Sequence, residues 1–501
     1  MNDNLFYKDA ILSTAVERIL RQTNPWWESK PMVLLPKYRR WVFDTLLQRL
    51  NSRLAPIVVL RGPRQVGKTT LQNQIIEHLI ENEKIAPQRI LRVQFDELPS
   101  LRVSKEPILD IASWFEKKQL GCSFNETARA EKPAYLFLDE VQNLDDWSSQ
   151  VKFLVDQNSV RVFITGSSAL RIQAGRDSLA GRIAQIDLGT LQLREIAGLR
   201  FGKIVEPFLK PNGPEPIGMK EFWTDALEYG ERFTDIRDIA FTAFSERGGY
   251  PMAQANPAEP WSLVSDQLNE TVIQRAIRHD LRMGKKGQKR DEQLLEEVFR
   301  LACRYAGQAP GQAIYVQEIQ SALRGNVGWN RILSYLKFLD GALLIKLIEP
   351  LEIRLKKKKG TPKVCLCDHG LRASWLQESI PLTPLGLQQS PHLSDLAGHI
   401  AESVVGYYFG TIPGLNINHF PERSAEPEVD FVLTIGEYRI PLEVKYRQKI
   451  DGHGDTVGLR AFLEKSVYNA PFGILVTLQK YTGTLDPRIV AIPLSTLLML
   501  R

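Results

Sequence analysis

The sequence predicts an α/β protein in which a parallel sheet is followed by a helical middle region and a second, smaller α/β domain. The first observation is a glycine-rich loop between an apolar strand and an amphipathic helix. The second is a pair of further apolar strands that end in polar residues, at Asp139 and Thr165. The third is a pair of late strands with embedded acids, at Asp430 and Glu443. Alternating strands and helices around the glycine loop are typical of a parallel sheet.

The glycine loop is the most specific motif in the chain. Gly62 is followed by four residues and then by Gly67, Lys68 and Thr69, between an apolar run and a helical pattern. This context predicts a phosphate-binding loop, because glycines let backbone N–H groups approach phosphate oxygens and a helix N-terminus favours an anion. Lys68 is expected to contact the β- and γ-phosphates, and Thr69 a hydrated magnesium ion. The residues expected around the phosphates are Gly62, Pro63, Arg64, Gln65, Val66, Gly67, Lys68, Thr69 and Thr70.

Two strands supply the remaining candidates for a hydrolytic site. One apolar strand ends in Asp139 and Glu140, and another ends in Thr165. Asp139 is predicted to hold the magnesium ion, and Glu140 to polarise the attacking water. Thr165 is the first candidate for contacting the γ-phosphate and holding that water, and Ser167 is the second. An ordinary polar strand end is an equal alternative for either residue.

The composition describes a mildly basic globular protein. The chain has 501 residues, a net charge of +6, 43% hydrophobic and 24% charged residues, so two or three domains are expected. The four cysteines form neither a zinc pattern nor a disulfide framework, which fits a reducing compartment. Because no leader pattern and no apolar run of about 18 residues is found, we expect a cytoplasmic protein without a membrane partner. The charge permits binding of DNA or RNA without requiring it.

Four regions are predicted along the chain. Residues 1–200 contain N-terminal helices and the phosphate-loop core, and residues 201–300 an insertion and a helical region. Four prolines between residues 203 and 236 predict a loop-rich excursion there. Residues 301–384 show two helical patterns followed by two strands, which is the outline of a winged helix. Residues 385–501 are predicted to form the second α/β domain.

Two basic segments are candidates for contact with nucleic acid. One lies at 275–290, and the other is a lysine-rich hairpin tip at 354–360. Lysine and arginine side chains there would neutralise backbone phosphates. A solvated helix end is the simpler interpretation of the first segment. A charged turn that discourages aggregation is the alternative for the second.

The last region carries a constellation of acids and one lysine. Asp430 lies on one predicted strand, and Glu443 and Lys445 lie two residues apart on the next, so the latter two emerge on one face. The carboxylates of Asp430 and Glu443 would hold a divalent cation. Glu402, on a preceding helix, is the candidate to complete the cluster. Lys445 would orient or deprotonate a water for attack on a phosphodiester. The competing interpretation is an ordinary β-hairpin with a surface aspartate and a Glu–Lys pair.

Two features of these strands bear on that choice. Asp430 and Glu443 are flanked by apolar residues, and acids in buried strands need a reason. Pro441 removes a backbone donor just ahead of Glu443, so its strand must lie at a sheet edge or begin there. The apolar neighbours favour a nuclease-like fold, and they leave its activity open.

Taken in order, the motifs resemble the prokaryotic AAA-type ATPases of the archaeal-ATPase-like group. In that group a C-terminal domain of unknown function has a restriction-endonuclease-like, PD-(D/E)xK, fold. The resemblance covers about residues 35–480, and its motifs are 62–69, 138–142, 165–168, 178–182, 248–251, 368–372 and the pair 428–430 and 443–445. It implies binding and slow hydrolysis of ATP with Mg²⁺, a P-loop NTPase core, a winged-helix middle and an endonuclease-like end. Two departures are the length of segment 203–236 and Ala276, which stands where an acid is common.

One arginine is a candidate for accelerating phosphoryl transfer. Arg182 ends the motif 178–182 after the third core strand, and a positive charge that reaches the γ-phosphate, within or between subunits, would stabilise the transition state. Arg171 and Arg176 are alternatives for the same role. Each of the three is also consistent with a solvated surface arginine.

Two functions stay open at this point. The first is an ATPase that acts on nucleic acid, with a C-terminal unit that cuts or grips DNA or RNA. The second is an ATP-dependent signalling switch, in which the winged helix and an inactive nuclease-like domain bind another protein. An ATP-bound scaffold without turnover would require a misplaced Glu140. The sequence does not specify the oligomeric state.

Overall fold

The structure is a computed structural model that divides into two compact units, residues 1–188 and residues 189–501. The division lies ahead of the boundary expected at residue 200, and the three later predicted regions fall within one unit. None of the helices in the described part of the chain combines the length and the hydropathy that crossing a bilayer requires. The described residues are 12–52, 54–97, 104–144, 146–166, 179–210, 213–280, 291–352, 360–422, 427–483 and 485–501.

The first unit is built on a five-stranded sheet. Its strands are β1 (Ile57–Arg61), β2 (Ile90–Gln94), β3 (Ala134–Asp139), β4 (Val160–Gly166) and β5 (Ile183–Asp187). Their spatial order is β2-β3-β4-β1-β5, and every neighbouring pair is parallel. The predicted parallel sheet is therefore confirmed. Because β4 lies between β1 and β3, Thr165 at its end pairs with Asp139 at the end of β3.

Among the described residues, six α-helices accompany this sheet. They are α1 (Thr14–Thr23), α2 (Phe43–Asn51), α3 (Lys68–Glu81), α4 (Pro107–Phe115), α5 (Phe124–Arg129) and α6 (Trp147–Gln157). α3 follows the glycine loop directly and buries Leu71, Ile75, Ile76 and Leu79, as their spacing predicts. Strand, loop and helix thus follow each other as a phosphate-binding loop requires.

Two sheets form the framework of the second unit. β6 (Ile345–Ile348) and β7 (Lys363–Leu366) pair antiparallel. The larger sheet has the order β12-β11-β10-β9-β8, with β8, β9 and β10 antiparallel and β10, β11 and β12 parallel. Its strands are β8 (Asn416–Phe420), β9 (Val429–Ile435), β10 (Tyr438–Lys445), β11 (Gly473–Thr477) and β12 (Ile489–Pro493). Both acid-bearing strands, β9 and β10, therefore lie inside the sheet.

The helices of the second unit connect these sheets. They are α7 (Leu193–Phe201), α8 (Lys220–Arg232), α9 (Thr234–Arg247), α10 (Pro251–Ala255), α11 (Trp261–Leu268), α12 (Glu292–Arg304), α13 (Gln312–Leu323), α14 (Trp329–Gly341), α15 (His369–Leu376), α16 (Pro384–Gln389), α17 (Ser394–Gly410), α18 (Val457–Leu463) and α19 (Leu494–Met499). α13 and α14 precede β6 and β7, which is the order of two helices and two strands expected of a winged helix. The assignment to that fold stays a prediction. α17 contacts both sheets and joins them.

The predicted loop-rich excursion at 203–236 is wrong for the second half of that segment. α8 begins at Lys220 and buries Trp223 and Tyr229. The indole of Trp223 lies 6.3 Å from the ring of Phe409 on α17. The four prolines all precede α8, so they do not interrupt it, and its apolar residues recur at helical spacing.

β7 is held against α17 at close range. The N–H of Leu366 donates to Oγ of Ser403 at 2.8 Å. A Cβ added at Gly406 would lie 2.3 Å from Sγ of Cys365, so glycine permits this approach. The contact fixes Lys363, the first residue of β7, beside α17.

Two motifs of the predicted family resemblance, 248–251 and 368–372, meet at one buried carboxylate. Asp368 accepts hydrogen bonds from the N–H groups of Gly249 and Gly370. A Cβ at Gly248, whose φ is +71°, would lie 2.1 Å from Oδ1 of Asp368. Burial raises the pKa of Asp368 to about 7, although its backbone hydrogen bonds oppose that shift. The two motifs therefore join the loop after α9 to the start of α15.

Asp368→Ala is expected to lower the free energy of unfolding of the second unit by about 2–4 kcal/mol, because two buried N–H groups lose their acceptor. Urea unfolding followed by tryptophan fluorescence measures the change. Glu437→Ala, at an exposed turn, is the matched control and should stay within about 0.5 kcal/mol of the parent. Equal effects of the two substitutions would show that the motifs do not depend on this carboxylate.

Candidate functional site

The glycine loop adopts backbone conformations that suit residues without a side chain. Gly67 has a φ of +92° and leads directly into α3. Gln65 also lies in the left-handed region, with a φ of 64°. A Cβ added at Gly62 would lie 2.4 Å from the carbonyl oxygen of Leu188. The loop is thus shaped by two glycines, and the N-terminus of α3 lies at its end.

Lys68 lies buried over this loop. Its Nζ donates to the carbonyl oxygens of Gly62 at 2.9 Å and Pro63 at 2.8 Å. Arg40 supports the loop from the other side of its backbone and donates to the carbonyl oxygen of Val66 at 2.9 Å. The lysine is therefore held at the loop on which its predicted role depends.

Asp139 is the centre of the site at the carboxyl end of the sheet. It is 2% exposed and accepts hydrogen bonds from Oγ1 of Thr165 and, at 3.2 Å, from Oγ1 of Thr69. Burial raises the pKa of Asp139 above its ordinary value, although the Thr165 hydrogen bond and the Arg92 charge oppose this effect. The structure thus brings together the predicted phosphate-loop threonine, the strand acid and Thr165. Ser167, the second candidate, lies outside the described residues.

Glu140 takes an uncommon backbone conformation directly after Asp139. Its φ and ψ are 55° and 40°, in the left-handed region. Its N–H donates to the carbonyl oxygen of Thr165 at 3.1 Å, which ties it to the end of β4. A left-handed residue with a side chain costs roughly 1–2 kcal/mol and is concentrated at functional sites.

Arg92 was missed by the sequence analysis. Its guanidinium lies 3.7 Å from Oδ2 of Asp139, and the residue is 8% exposed. It pairs the buried carboxylate with a positive charge from the neighbouring strand β2. The sequence does carry a signal for Arg92, because it is a charged residue inside the apolar run 90–93. A charged residue in a buried strand needs a reason, as argued above for Asp430 and Glu443.

The structure contradicts the prediction that Arg182 reaches the γ-phosphate within one chain. Its carbonyl oxygen accepts from the N–H of Ile57, the first residue of β1, whereas the phosphate loop follows the last residue of β1. Its guanidinium forms a two-pronged pair with Asp156, with Nη2 3.0 Å from Oδ2. Arg182 thus lies at the amino end of the sheet, opposite the site. A role between subunits stays a prediction, and Arg171 and Arg176 lie outside the described residues.

The structure brings the late acids and lysine together from three elements. Glu402 lies on α17, Asp430 on β9, and Glu443 and Lys445 on β10. Oδ2 of Asp430 accepts from the N–H of Val444 at 2.8 Å, and Nζ of Lys445 donates to Oε1 of Glu443 at 2.7 Å. Asp430 and Glu443 are 8% and 9% exposed. The competing interpretation is therefore wrong in its surface aspartate, whereas its β-hairpin and its Glu–Lys pair are both present.

Lys363 joins this cluster and was not anticipated. Its side chain is 2% exposed, and its Nζ lies 3.2 Å from Oε2 of Glu402 and 3.2 Å from Oδ1 of Asp430. Oε1 of Glu428 lies 4.0 Å away, and the ring centroid of Phe431 lies 4.9 Å away. A lysine from the predicted winged-helix region thus occupies the space between two acids of the last region. We refer to Lys363, Glu402, Asp430, Glu443 and Lys445 as the carboxylate cluster.

The charges of the carboxylate cluster depend on one another. Burial raises the pKa of Glu402 and of Glu443 to about 8, the Asp430 charge adds to this effect, and a neighbouring lysine opposes it in each case. Burial lowers the pKa of Lys363, but the carboxylate charges outweigh burial and place it above its ordinary value. Lys363 therefore stays an ammonium ion at neutral pH. Within the described residues, no group of three acidic, histidine or cysteine side chains is arranged to hold a metal ion.

The sequence predicts that the strand with Pro441 lies at a sheet edge or begins at Pro441, and the first of these two expectations is wrong. β10 is the central strand, so Pro441 does not mark a sheet edge. It pairs with Val432 of β9, while the ladder to β11 begins one residue later, at Leu442 and Ile474. The second expectation, that pairing begins at this point, holds on the β11 side, where a missing N–H donor costs no ladder bond.

Glu402→Gln is expected to gain stability relative to the parent as pH rises from about 4.5 to about 8. Folding raises the pKa of Glu402 from 4.5 to about 8, so the folded parent binds more protons than the unfolded chain in this window. The parent consequently loses stability as pH rises, whereas glutamine does not titrate. Urea unfolding at several pH values measures the difference. A difference that stays constant over the window would contradict a buried, proton-binding Glu402.

Residues 54–197 match the family model of an AAA domain, and residues 240–381 match a domain of unknown function, DUF8612. Residues 54–197 are therefore similar to AAA domains, and their parallel five-stranded sheet and glycine loop agree with the α/β fold of a P-loop NTPase. The second matched segment contains the two motifs that meet at Asp368.

Similar proteins extend over much of the chain. An uncharacterized protein of Methanocaldococcus jannaschii, MJ1637, is 23% identical over 440 residues, which are 84% of each chain. Among solved structures, the Walker-type ATPase PABY2304 of Pyrococcus abyssi is 14% identical, with a TM-score of 0.35, and covers 69% of this chain and 99% of its own. The Hsp104–ADP complex of S. cerevisiae is 13% identical, with a TM-score of 0.29, and covers 64% of this chain and 41% of its own.

Proposed function

We propose that the protein is a magnesium-dependent ATPase whose second unit is nuclease-like and acts on DNA or RNA. The hydrogen bonds of Thr69 and Thr165 to Asp139 carry the first part of the proposal. They place a loop hydroxyl, a strand carboxylate and a further polar group at the carboxyl end of one parallel sheet. Ligands commonly bind at that end of such sheets.

The residues present fit a nucleotide with its metal ion. Gly62 and Gly67 leave the space that side chains would fill, and Lys68 supplies a positive charge at the loop. Thr69 and Asp139 provide the oxygen donors that magnesium prefers. Magnesium, when bound, supplies neutralisation of the phosphate charge. Glu140 then orients and polarises the attacking water, and Thr165 holds the carboxylate of Asp139 in place.

The proposed nuclease-like fold of the last region rests on the order of its elements. α17 precedes the antiparallel strands β8, β9 and β10, and α18 leads to the parallel strand β11. Convergence of Glu402, Asp430, Glu443 and Lys445 in this framework supports a site that acts on a phosphodiester.

One observation favours the second function, an ATP-dependent signalling switch with an inactive nuclease-like domain. The ammonium group of Lys363 lies between Glu402 and Asp430, on which the proposed metal ion depends. In that case the second unit would bind a protein partner and perform no cleavage.

Two assays test these proposals separately. Magnesium-dependent ATP hydrolysis is compared among the parent, Lys68→Ala and the exposed control Lys132→Ala, and only Lys68→Ala is expected to lose activity, by at least about 100-fold. Unchanged hydrolysis in Lys68→Ala would refute the ATPase. DNA and RNA are then incubated with Mg²⁺ or Mn²⁺ and the parent or Asp430→Ala. Cleavage that Asp430→Ala abolishes supports a nuclease, and absence of cleavage in the parent supports the switch.

A further inference from the structure

We infer that Lys363 is the built-in cation of the carboxylate cluster, and that its ammonium group keeps a divalent cation from binding there. The inference deepens the second proposed function, the switch with an inactive nuclease-like domain, and rests on it for the second unit. It does not rest on ATP hydrolysis or on cleavage.

The position of the ammonium group is the first argument. Nζ of Lys363 lies 3.2 Å from one oxygen of Glu402 and 3.2 Å from one oxygen of Asp430. A divalent cation shared by these acids would need the same oxygens, at about 2.0–2.6 Å from each. Two cations cannot share that space, so lysine and metal exclude each other.

The remaining coordination capacity is the second argument. Oε1 of Glu443 accepts from Lys445, and Oε2 is buried with no hydrogen-bond partner among the described residues. A buried carboxylate oxygen left without a partner is costly and marks capacity for a further donor or cation. The cluster therefore has one carboxylate oxygen to spare besides the two that lie beside the ammonium group of Lys363.

The acids of the carboxylate cluster are open to small ions. A cavity of about 620 Å³ borders the cluster and is lined by, among others, Lys363, Glu402, Glu428, Asp430 and His399. Small hydrated ions can reach the acids through it. Exclusion of a metal ion therefore depends on the bound ammonium group and not on a closed path.

Anchoring of the lysine is the fourth argument. β7 is paired with β6 and held on α17 through the Leu366–Ser403 hydrogen bond, and Gly406 allows the close approach. The backbone of Lys363 is thereby fixed within reach of the acids. Withdrawal of the ammonium group requires displacement of β7 or rotation of a fully buried side chain.

Mn²⁺ binding tests the inference. All chains carry Thr69→Ala and contain no nucleotide, which removes the proposed magnesium ligand of the first unit, and Mn²⁺ is titrated by electron paramagnetic resonance. The reference chain is expected to show no site in the second unit. Adding Lys363→Met should create one Mn²⁺ site, whose affinity is at least about 100-fold above any Mn²⁺ binding by the second unit of the reference chain. Adding Asp430→Asn to Lys363→Met should remove this site again. Lys363→Arg, which keeps the charge, should create none.

Several outcomes would overturn the inference. Binding of Mn²⁺ by the reference chain that Asp430→Asn abolishes would show that Lys363 does not exclude the ion. A folded Lys363→Met chain without a new site would do the same. If Lys363→Met unfolds without metal, rescue of its folding by Mn²⁺ supports the inference. If Mn²⁺ restores the folding of neither Lys363→Met nor Lys363→Gln, the inference is contradicted.

Discussion

Glu140→Gln is expected to slow ATP hydrolysis by about 10²–10⁴-fold, since the carboxylate proposed to polarise the attacking water is replaced by a neutral amide. ATP affinity is expected to stay within a few-fold, because the glycine loop and the Thr69–Asp139 pair are unchanged. Single-turnover hydrolysis and equilibrium binding of a fluorescent ATP analogue measure the two effects.

The control for this prediction lies on the same unit. Glu81, at the exposed end of α3, makes the same chemical change possible far from the loop, and Glu81→Gln should hydrolyse ATP at the parental rate. Hydrolysis by Glu140→Gln at a rate near that of Glu81→Gln would exclude Glu140 as the catalytic base. Weak ATP binding together with slow hydrolysis would instead indicate damage to the loop.

Lys363→Met is expected to reduce the free energy of unfolding of the second unit by about 3–5 kcal/mol in the absence of divalent ions, because removing one partner of a buried ion pair leaves uncompensated charge. Asp430 loses the ammonium group that lies 3.2 Å from its Oδ1. Urea unfolding at pH 7 measures the loss.

Lys337→Met is the matched control for this second prediction. Lys337 is exposed on α14 in the same unit, and its replacement should change stability by no more than about 0.5 kcal/mol. Adding Asp430→Asn to Lys363→Met removes the unbalanced charge and should restore part of the loss. A loss that the second substitution does not relieve would indicate a packing defect and would argue against a charge effect.

The phosphate loop could be predicted because its chemistry lies in consecutive residues. Gly62, Gly67, Lys68 and Thr69 are fixed by a local turn and a helix start, and the apolar strand endings identify Asp139 as well. Nothing beyond the order of strand, loop and helix is required for that conclusion.

Residues that act across the chain could not be predicted in this way. Arg182 lies near β5 in sequence, but only the pairing of β5 with β1 shows that it lies at the wrong end of the sheet. Lys363 lies 67 positions from Asp430, and no spacing rule relates the two. Its one signal is local: a charged residue begins a strand whose every position is buried.

Segment 203–236 shows a different limit. The four prolines predict a loop-rich segment, although a proline interrupts only the residues next to it. Trp223, Ala226 and Tyr229 recur at helical spacing beyond the last of these prolines and are buried. The contact of Trp223 with Phe409 on α17 makes α8 part of the core.

The placement of Lys363 on β7 bears on how the protein can be dissected. A fragment that begins at residue 385 would retain Glu402, Asp430 and Glu443 but would lack the ammonium group of Lys363, which pairs with Glu402 and Asp430. Metal affinity, cleavage and stability measured on such a fragment would describe a cluster whose net charge differs from that in the whole chain. A fragment that preserves the charges of this cluster therefore includes the β6–β7 hairpin together with the last region.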